Sequence, residues 1–242
     1  MKETTVRITS FDVLPNSTVK PSALLRYMQQ LAREDCDGLG CTYRYMRSLN
    51  TVFVLTQLGL RLDRPVFEGE EIKLTTYNDG VIGPFFERGF TVEREGRQVG
   101  VCSSRWVLVR YDTRSIVKPR DFPVDFRTVS RERETVDVPR RFDPAGSSPA
   151  GERVVRLSDL DENNHLNNCV YADIATDAAE GIDGLSSRLS GMRIDFLGEA
   201  KLGDVLSLSR RVSGDTQVIF ADDLSSGRRC FEAEITFIPL EK

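Results

Sequence analysis

Residues 58–74 read LGLRLDRPVFEGEEIKL, and residues 192–208 read MRIDFLGEAKLGDVLSL. An offset of 134 positions superimposes the alternating apolar residues of the two segments. Alternation with a period of two is typical of β-strands that bury one face. The same offset places Gly69 on Gly203, each followed by an acidic residue, and this predicts a tight turn between two strands in both segments.

A predicted helix precedes the alternating segments in each half of the chain. Residues 21–37 (PSALLRYMQQLAREDCD) begin with a proline and carry apolar residues at the 3–4 spacing of a buried helical stripe. Residues 167–181 (NNCVYADIATDAAEG) carry apolar residues four positions apart. Strand-like rows follow each helix, among them Phe86 and Phe90 with Arg88 interrupting the row. The same order of elements occurs twice, so we interpret the chain as a duplicated unit.

Each copy is predicted to be an α+β unit in which one helix packs against an antiparallel sheet. We assign the first unit to residues 1–130 and the second to residues 153–242. The linker between them, residues 131–152, is rich in Pro, Gly, Ser and charged residues and has no periodicity. Side-by-side pairing of the two sheets would cover two edge strands, so we expect one continuous sheet. A crevice between the halves is the expected ligand site.

The composition is that of a globular protein and argues against several functions. The 242 residues are 40% hydrophobic and 29% charged, and their net charge of −4 gives no general attraction to nucleic acid. No apolar run approaches the ~20 residues that cross a membrane, and residues 1–13 (MKETTVRITSFDV) lack the apolar segment of a secretory leader. We therefore expect a cytoplasmic protein that binds neither nucleic acid nor membrane.

The five cysteines are scattered and never form a C-x-x-C pair, and the chain has a single histidine. Disulfide frameworks and zinc sites show closer, paired spacing of their cysteines. We therefore expect reduced cysteines, no metal site and no cofactor.

The single histidine lies in residues 159–168, which read DLDENNHLNN. If this segment is extended, the side chains of Asp161, Asn163 and His165 project to the same side, because successive side chains of a strand alternate. An acid, an amide and an imidazole on one side suit attack on a carbonyl group, since such groups can deliver a nucleophile and move its proton.

A helix is predicted to begin directly after the histidine, with Asn167 or Asn168 as its N-cap. The free N–H groups of its first turn would favour a developing oxyanion. The same residues also have a purely structural interpretation, because a lone histidine in a polar stretch is often a surface or capping residue. Stretches rich in Asp and Asn likewise often form solvated turns. The local pattern leaves both interpretations open.

The run DLDENNHLNNCVYADI (159–174) resembles the signature of acyl-ACP thioesterases, D-x-D-x-N-x-H-V/I-N-N with a tyrosine following. Leu166 is a mild variant at its hydrophobic position, and Tyr171 is in place. Residues 194–200 (IDFLGEA) resemble the L-D/E-Y-x-x-E-C strand of that family, and residues 103–119 (SSRWVLVRYDTRSIVKP) resemble the strand and T-R turn that end its first half. The resemblance covers nearly the whole chain.

The resemblance implies a double hotdog fold, in which each half wraps an antiparallel sheet round a long helix. It implies hydrolysis of fatty acyl-ACP by the second half, with Asp161, Asn163 and His165 in the catalytic loop. Glu199 would be a downstream acid. The first half, which contains no histidine, would be non-catalytic and supply much of the acyl cavity. The implied partner is an acyl carrier protein bearing a fatty acyl chain, and a double hotdog is expected to be a monomer or a homodimer.

Two catalytic routes fit these residues. In one, Asp161 or Glu199 is the general base toward a water that the imidazole and the amide position. In the other, Asp161 attacks the thioester and forms an acyl-enzyme anhydride. A thiol nucleophile after the downstream acid is not available, because Ala200 stands where the family often has cysteine. The alternatives to acyl-ACP hydrolysis are an acyl-CoA thioesterase of the hotdog fold and a non-catalytic acyl- or carrier-binding protein.

Overall fold

The structure, a computed structural model, describes residues 1–126, 134–138, 141–181 and 184–240. In these ranges the α-helices span Pro21–Gly38 (α1), Tyr43–Ser48 (α2) and Asn168–Asp177 (α3). Single turns of 3₁₀ helix cover Ser10–Asp12, Pro119–Asp121 and Leu157–Asp159. None of the helices in these ranges combines the length and the apolar character that crossing a membrane requires.

Ten strands form one antiparallel sheet in the described part of the chain. They span Lys2–Arg7 (β1), Thr51–Leu62 (β2), Glu71–Ile82 (β3), Phe85–Arg94 (β4), Arg97–Arg110 (β5), Ser148–Val154 (β6), Ser187–Phe196 (β7), Val205–Ser213 (β8), Thr216–Asp223 (β9) and Arg229–Pro239 (β10). Their order across the sheet is β1-β3-β4-β5-β2-β7-β10-β9-β8-β6. Each half of the chain supplies one side of the sheet in the same strand order. The predicted α+β class and the continuous sheet are confirmed.

Strands β2 and β7 join the two halves at the middle of the sheet. Leu58 pairs with Ile194 and Leu60 pairs with Met192, and all four side chains are buried. This pairing covers an edge that each half would expose by itself. One hydrophobic core includes residues from both halves and from both α1 and α3. The two units therefore bury most of their apolar surface together.

The turns before β3 and β8 have the same backbone conformation. Gly69 and Gly203, which lie 134 positions apart, have φ values of +84° and +88°. Glycine adopts this region without the steric cost that a Cβ brings. The N–H of Gly69 donates to the carbonyl oxygen of Ile8, and the N–H of Gly203 donates to that of Val155. The predicted turns are confirmed, and the duplication extends to their hydrogen bonds.

The first predicted helix is confirmed, whereas the second is shorter than predicted. Helix α1 covers all of residues 21–37, but α3 ends at Asp177 although the apolar spacing predicts helix to residue 181. The side chain of Gln217 on β9 accepts from the N–H of Glu180 at 2.8 Å and donates to its carbonyl oxygen at 2.7 Å. Another helical turn would need these backbone groups, so the chain leaves the helix where the strand side chain binds them.

Part of the predicted linker, residues 131–133 and 139–140, lies outside the described residues. The described part of the linker has no regular secondary structure before β6 begins at Ser148. The division into units of residues 1–130 and 153–242 stays a prediction.

Candidate functional site

Residues 160–166 form a closed turn, so the extended conformation that would place Asp161, Asn163 and His165 on the same side does not occur. The N–H of Asp161 donates to the carbonyl oxygen of His165 at 2.8 Å, and the N–H of Asn164 donates to that of Asp161 at 3.1 Å. Oδ1 of Asp161 accepts from the N–H groups of Asn163 (2.8 Å) and His165 (3.2 Å). Short acidic and amide side chains compete with extended backbone by binding nearby N–H groups. The Asp161 carboxylate thereby folds the chain back on itself.

The first half contains the same turn without the ionisable side chains. At an offset of 147 positions, Leu14 corresponds to Asp161 and Thr18 corresponds to His165. The N–H of Leu14 donates to the carbonyl oxygen of Thr18 at 2.8 Å, the same distance as in the second half. Ser17 and its counterpart in the second turn have φ values of +63° and +62°. The two turns share a backbone conformation, but only the second has a carboxylate and an imidazole at these positions.

The structure brings Glu199 to the imidazole of His165. Nε2 of His165 lies 3.2 Å from Oε2 of Glu199. The N–H of Leu166 donates to the carbonyl oxygen of Ala200 at 2.8 Å, and this bond holds the turn beside the segment that follows β7. The side chains of His165 and Glu199 are 18% and 39% exposed, so water can reach the pair. Asp161, by contrast, contacts His165 through the backbone.

A third side chain, the guanidinium of Arg114, reaches this pair from the first half of the chain. Nη2 of Arg114 lies 3.1 Å from Oε1 and 3.5 Å from Oε2 of Glu199. Arg114 lies in the turn after β5, and its φ is +57°. Sequence reasoning assigned no role to this arginine, because the contact joins residues 85 positions apart. The one local signal is the resemblance of its turn to the T-R turn of the family.

The start of α3 offers one backbone donor beside the turn. Asn167, one of the two residues predicted as the N-cap, is the N-cap. Its Oδ1 accepts a hydrogen bond from the N–H of Cys169 at 3.0 Å. The N–H of Val170 donates to the carbonyl oxygen of Asn167 at 2.8 Å. Within the described ranges, the N–H of Asn168 has no acceptor. Of the N–H groups of Asn167 and Asn168, which were predicted to bind an oxyanion, the one of Asn168 is therefore the candidate that remains.

A cavity of about 520 Å³ lies beside the turn, between the two halves. From the second half it is lined by Asp161, Asn163 and the first turn of α3. From the first half it is lined by α1, α2 and the sheet, with the apolar residues Cys41, Met46, Phe53, Phe86, Trp106 and Phe126. His165 and Glu199 are not among the lining residues, so they lie outside the cavity next to the same turn. The predicted crevice between the halves is present.

Two residues of α1 join this site without having been singled out by the sequence. Gln29 lines the cavity, and its Nε2 is buried without an acceptor in the part of the chain that the structure describes. A buried donor without a partner in a cavity wall suits a ligand that brings an acceptor. Arg33, one turn further along the helix, pairs with Glu162 of the turn at 2.7 Å. In the sequence, Gln29 and Arg33 are recognisable only as residues of a predicted helix, and this does not indicate a function.

The thiols near the site are buried and protonated. Burial raises the pKa of Cys169, which lines the cavity, to about 12. Burial also raises the pKa of Cys102 and Cys230. A thiol must be deprotonated to act as a nucleophile, so these cysteines are inert near neutral pH.

Residues 1–123 match the model of the acyl-ACP thioesterase N-terminal domain, and residues 146–239 match that of the acyl-ACP thioesterase C-terminal domain. Oleoyl-acyl carrier protein thioesterase 1, chloroplastic, of Arabidopsis thaliana is 23% identical in an alignment 221 residues long, which covers 82% of this chain and 60% of that protein. Dodecanoyl-[acyl-carrier-protein] hydrolase, chloroplastic, of Cinnamomum camphora is 23% identical in an alignment 229 residues long, which covers 87% of this chain and 59% of that protein. The chain thus spans about 60% of the length of the curated relatives it matches.

Solved structures share the fold over nearly the whole chain. An acyl-ACP thioesterase from Bacteroides thetaiotaomicron VPI-5482 superposes with a TM-score of 0.81 at 19% identity, covering 98% of this chain and 97% of that chain. The 12:0-ACP thioesterase from Umbellularia californica superposes with a TM-score of 0.80 at 19% identity, covering 99% of this chain and 97% of that chain. Likeness at these identities shows the fold, and it confirms the predicted double hotdog.

Proposed function

The chain belongs to the acyl-ACP thioesterase family, and on that premise we propose that it hydrolyses the thioester of a fatty acyl-ACP to a free fatty acid and holo-ACP. The observation that carries the proposal is the His165–Glu199 pair, 3.2 Å apart, beside a turn that also lines a cavity with a partly apolar wall. An acyl chain in the cavity would place its thioester at the turn, within reach of groups that move protons.

The cavity suits an acyl chain in size, and its aromatic and aliphatic side chains offer the acyl chain an apolar wall, although charged residues line the cavity as well. Its volume of about 520 Å³ lies within the ~300–1,000 Å³ that is usual for small-molecule sites. Each methylene that leaves water for apolar surroundings contributes about 0.8 kcal/mol to binding. We propose that residues 1–130 supply most of this acyl-binding surface, whereas residues 153–242 supply the acid–base groups.

The His165–Glu199 pair supplies the proton transfers that thioester hydrolysis needs. The carboxylate faces Nε2 and so orients the ring. We propose that the pair takes a proton from a water as its oxygen adds to the thioester carbon. A proton then passes to the thiolate as the carbon–sulfur bond breaks. Water and thioester are thereby converted to carboxylic acid and thiol.

The hydrogen bonds of Asp161 favour the mechanism in which a water is activated over the one in which Asp161 attacks the thioester directly. Oδ1 of Asp161 already accepts two N–H groups, which hold the side chain in the turn. The side-chain amide of Asn163 lines the cavity and forms no hydrogen bond among the described residues. We propose that this amide and the N–H of Asn168 hold the oxyanion, because donors aimed at developing charge lower the barrier.

Two substitutions of Asp161 distinguish its role in holding the turn from a role as a charged catalytic group. Asp161→Asn keeps an oxygen that accepts the N–H groups of Asn163 and His165, whereas Asp161→Ala removes it. We expect Asp161→Ala to lower kcat on acyl-ACP by about 100-fold, because the turn that positions the imidazole is lost. Asp161→Asn should keep a larger share of kcat. Steady-state release of holo-ACP measures kcat for both variants. Direct attack would be established if Asp161→Asn were as inactive as Asp161→Ala and an acyl group could be trapped on Asp161 of the wild-type protein.

The buried thiols provide a test against a cysteine mechanism. We expect Cys169→Ser and Cys102→Ser to release thiol from acyl-ACP at near the wild-type rate, because neither thiol ionises near neutral pH. Turnover is measured beside a thermal unfolding curve for each variant. A well-folded serine variant that loses most of its turnover would reopen a thiol mechanism.

Carrier choice and catalysis are tested with a ladder of substrates. Purified protein is incubated with acyl-ACPs from C6 to C18 and with acyl-CoAs of the same chains, and free thiol is measured. We expect thiol release from acyl-ACP with the higher kcat/KM. A higher kcat/KM on acyl-CoA would favour an acyl-CoA thioesterase. Tight acyl-ACP binding without thiol release over hours would identify a non-catalytic acyl- or carrier-binding protein.

Location and assembly follow as parts of the same proposal. We propose a cytoplasmic protein, while the plant relatives carry the word chloroplastic in their names. We also propose a monomer or a homodimer, because β2 and β7 already join two hotdog sheets within one chain. Light scattering on the purified protein distinguishes the two assemblies.

A further inference from the structure

The carboxylate of Glu199 lies between one group from each half of the chain. Oε2 is 3.2 Å from Nε2 of His165, and Oε1 is 3.1 Å from Nη2 of Arg114. We propose that Arg114 is a positioning residue of the first unit that holds Glu199 in line with the imidazole. This inference rests on the proposed function, because it assigns Arg114 its role through the His165–Glu199 pair.

The backbone of Arg114 adopts a conformation that favours glycine. Its φ is +57°, its N–H donates to the carbonyl oxygen of Arg110 at 3.0 Å, and the N–H of Arg110 donates to that of Ser115 at 2.8 Å. A left-handed conformation costs a residue with a Cβ roughly 1–2 kcal/mol. Such strain is found where a side chain is needed for function. An arginine at a position that favours glycine is consistent with a role for its side chain.

The contribution of the Arg114 side chain to the stability of the fold is too small to explain the strained backbone. Arg114 and Glu199 are 40% and 39% exposed, and ion pairs with such exposure contribute about 0–1 kcal/mol. The guanidinium carbon also lies 5.6 Å from the centre of the Tyr111 ring, at the surface of the same turn. The strain of the Arg114 backbone costs about as much as the surface ion pair contributes, so the pair does not stabilise the fold. We therefore assign the side chain its role through the Glu199 carboxylate that it binds.

Orientation of Glu199 is the role that remains. The glutamate side chain is half exposed, and without a second partner its carboxylate can rotate away from His165. Nη2 of Arg114 contacts both oxygens of the carboxylate, at 3.1 and 3.5 Å, and this charged contact opposes that rotation. Misplacement of a catalytic group by about 1 Å can cost ~100-fold in rate. The first unit thus contributes to the acid–base machinery as well as to the cavity.

Arg114→Gly is the sharpest variant, because it relieves the backbone and removes the guanidinium together. We expect kcat on acyl-ACP to fall about 10-fold with KM unchanged, while the thermal midpoint stays the same or rises. Arg114→Lys should recover part of kcat, since it restores the charge without the planar fork. Arg47→Ala is the matched control: its guanidinium carbon lies 3.2 Å from the centre of the same Tyr111 ring. That variant should keep the wild-type kcat.

A second readout does not depend on turnover. The chain has one histidine, so in protein without a histidine tag a single Hε1 resonance reports on His165. At fixed pH we expect this resonance to move in Arg114→Gly and to stay in place in Arg47→Ala.

The outcomes separate this inference from the proposed function. Wild-type kcat in Arg114→Gly would overturn the inference, and so would a raised KM with kcat intact, which is the behaviour of a carrier-binding residue. An unmoved Hε1 resonance would also overturn it. A wild-type protein that releases no thiol would overturn the proposed function, while the resonance would still test the contact.

Discussion

Replacing His165 with alanine is expected to lower kcat on acyl-ACP by about 100-fold or more, because positioned acid–base groups contribute ~10²–10⁴ in rate. Among the residues that the structure describes, the imidazole is the side chain that joins Glu199 to the turn, at 3.2 Å from its carboxylate. The backbone of the turn should persist, since Oδ1 of Asp161 binds the N–H of residue 165 whatever its side chain. Holo-ACP release under saturating substrate measures the loss.

The first half of the chain supplies a matched control for this variant. Thr18 occupies the position of His165 in the equivalent turn, 147 residues earlier. Thr18→Ala makes a similar truncation in a turn without acid–base groups, and we expect near wild-type kcat. Equal losses in Thr18→Ala and His165→Ala, or near wild-type turnover in His165→Ala, would contradict the proposed site.

Replacing Arg88 with methionine is expected to lower the free energy of unfolding by about 3 kcal/mol or more, because a buried charge then loses its main partner. Nη1 of Arg88 lies 2.8 Å from Oδ2 of Asp35, and both side chains are 6% exposed. The same guanidinium donates to Asn78 and Thr76, so these polar groups lose their donor as well. In the described part of the chain, a second cation near Asp35 is the terminal amino group of Met1, at 3.2 Å from Oδ1. Urea unfolding measures the change.

Removing both charges should recover much of this loss. In Arg88→Met with Asp35→Leu no uncompensated charge is buried, and such double replacements are often close to neutral. Arg120→Ala is the control, because its pair with Asp121 is exposed and we expect its unfolding midpoint to stay in place. A single Arg88→Met variant as stable as the wild type would refute the stabilising role of the buried pair.

The sequence predicted local features well and long-range contacts poorly. Helix α1 and the turns at Gly69 and Gly203 follow from spacing and turn chemistry, which a few neighbouring residues express. The end of α3 could not be read in this way, because a strand side chain, Gln217, binds its backbone. The sequence showed Arg88 only as an interruption of an apolar row, since its partner Asp35 lies on α1.

The candidate site divides in the same way. The motif identified Asp161, Asn163, His165 and Glu199, and the structure brings the last two into contact. The extended conformation failed because the Asp161 carboxylate binds N–H groups two and four residues ahead. The cavity and its unpaired Gln29 amide required the packing of α1 against the second half.

By itself, the sequence determined helix α1, the two glycine turns, the duplication and the half that carries the imidazole, because periodicity, turn chemistry and residue identity are properties of short stretches. Tertiary structure alone decided that β2 meets β7, where the cavity lies and that Arg114 reaches Glu199. These contacts join residues that are far apart along the chain, and they depend on how two sheets and their helices share one core. The free energy of burying that shared apolar surface selects one arrangement, and no local pattern encodes it.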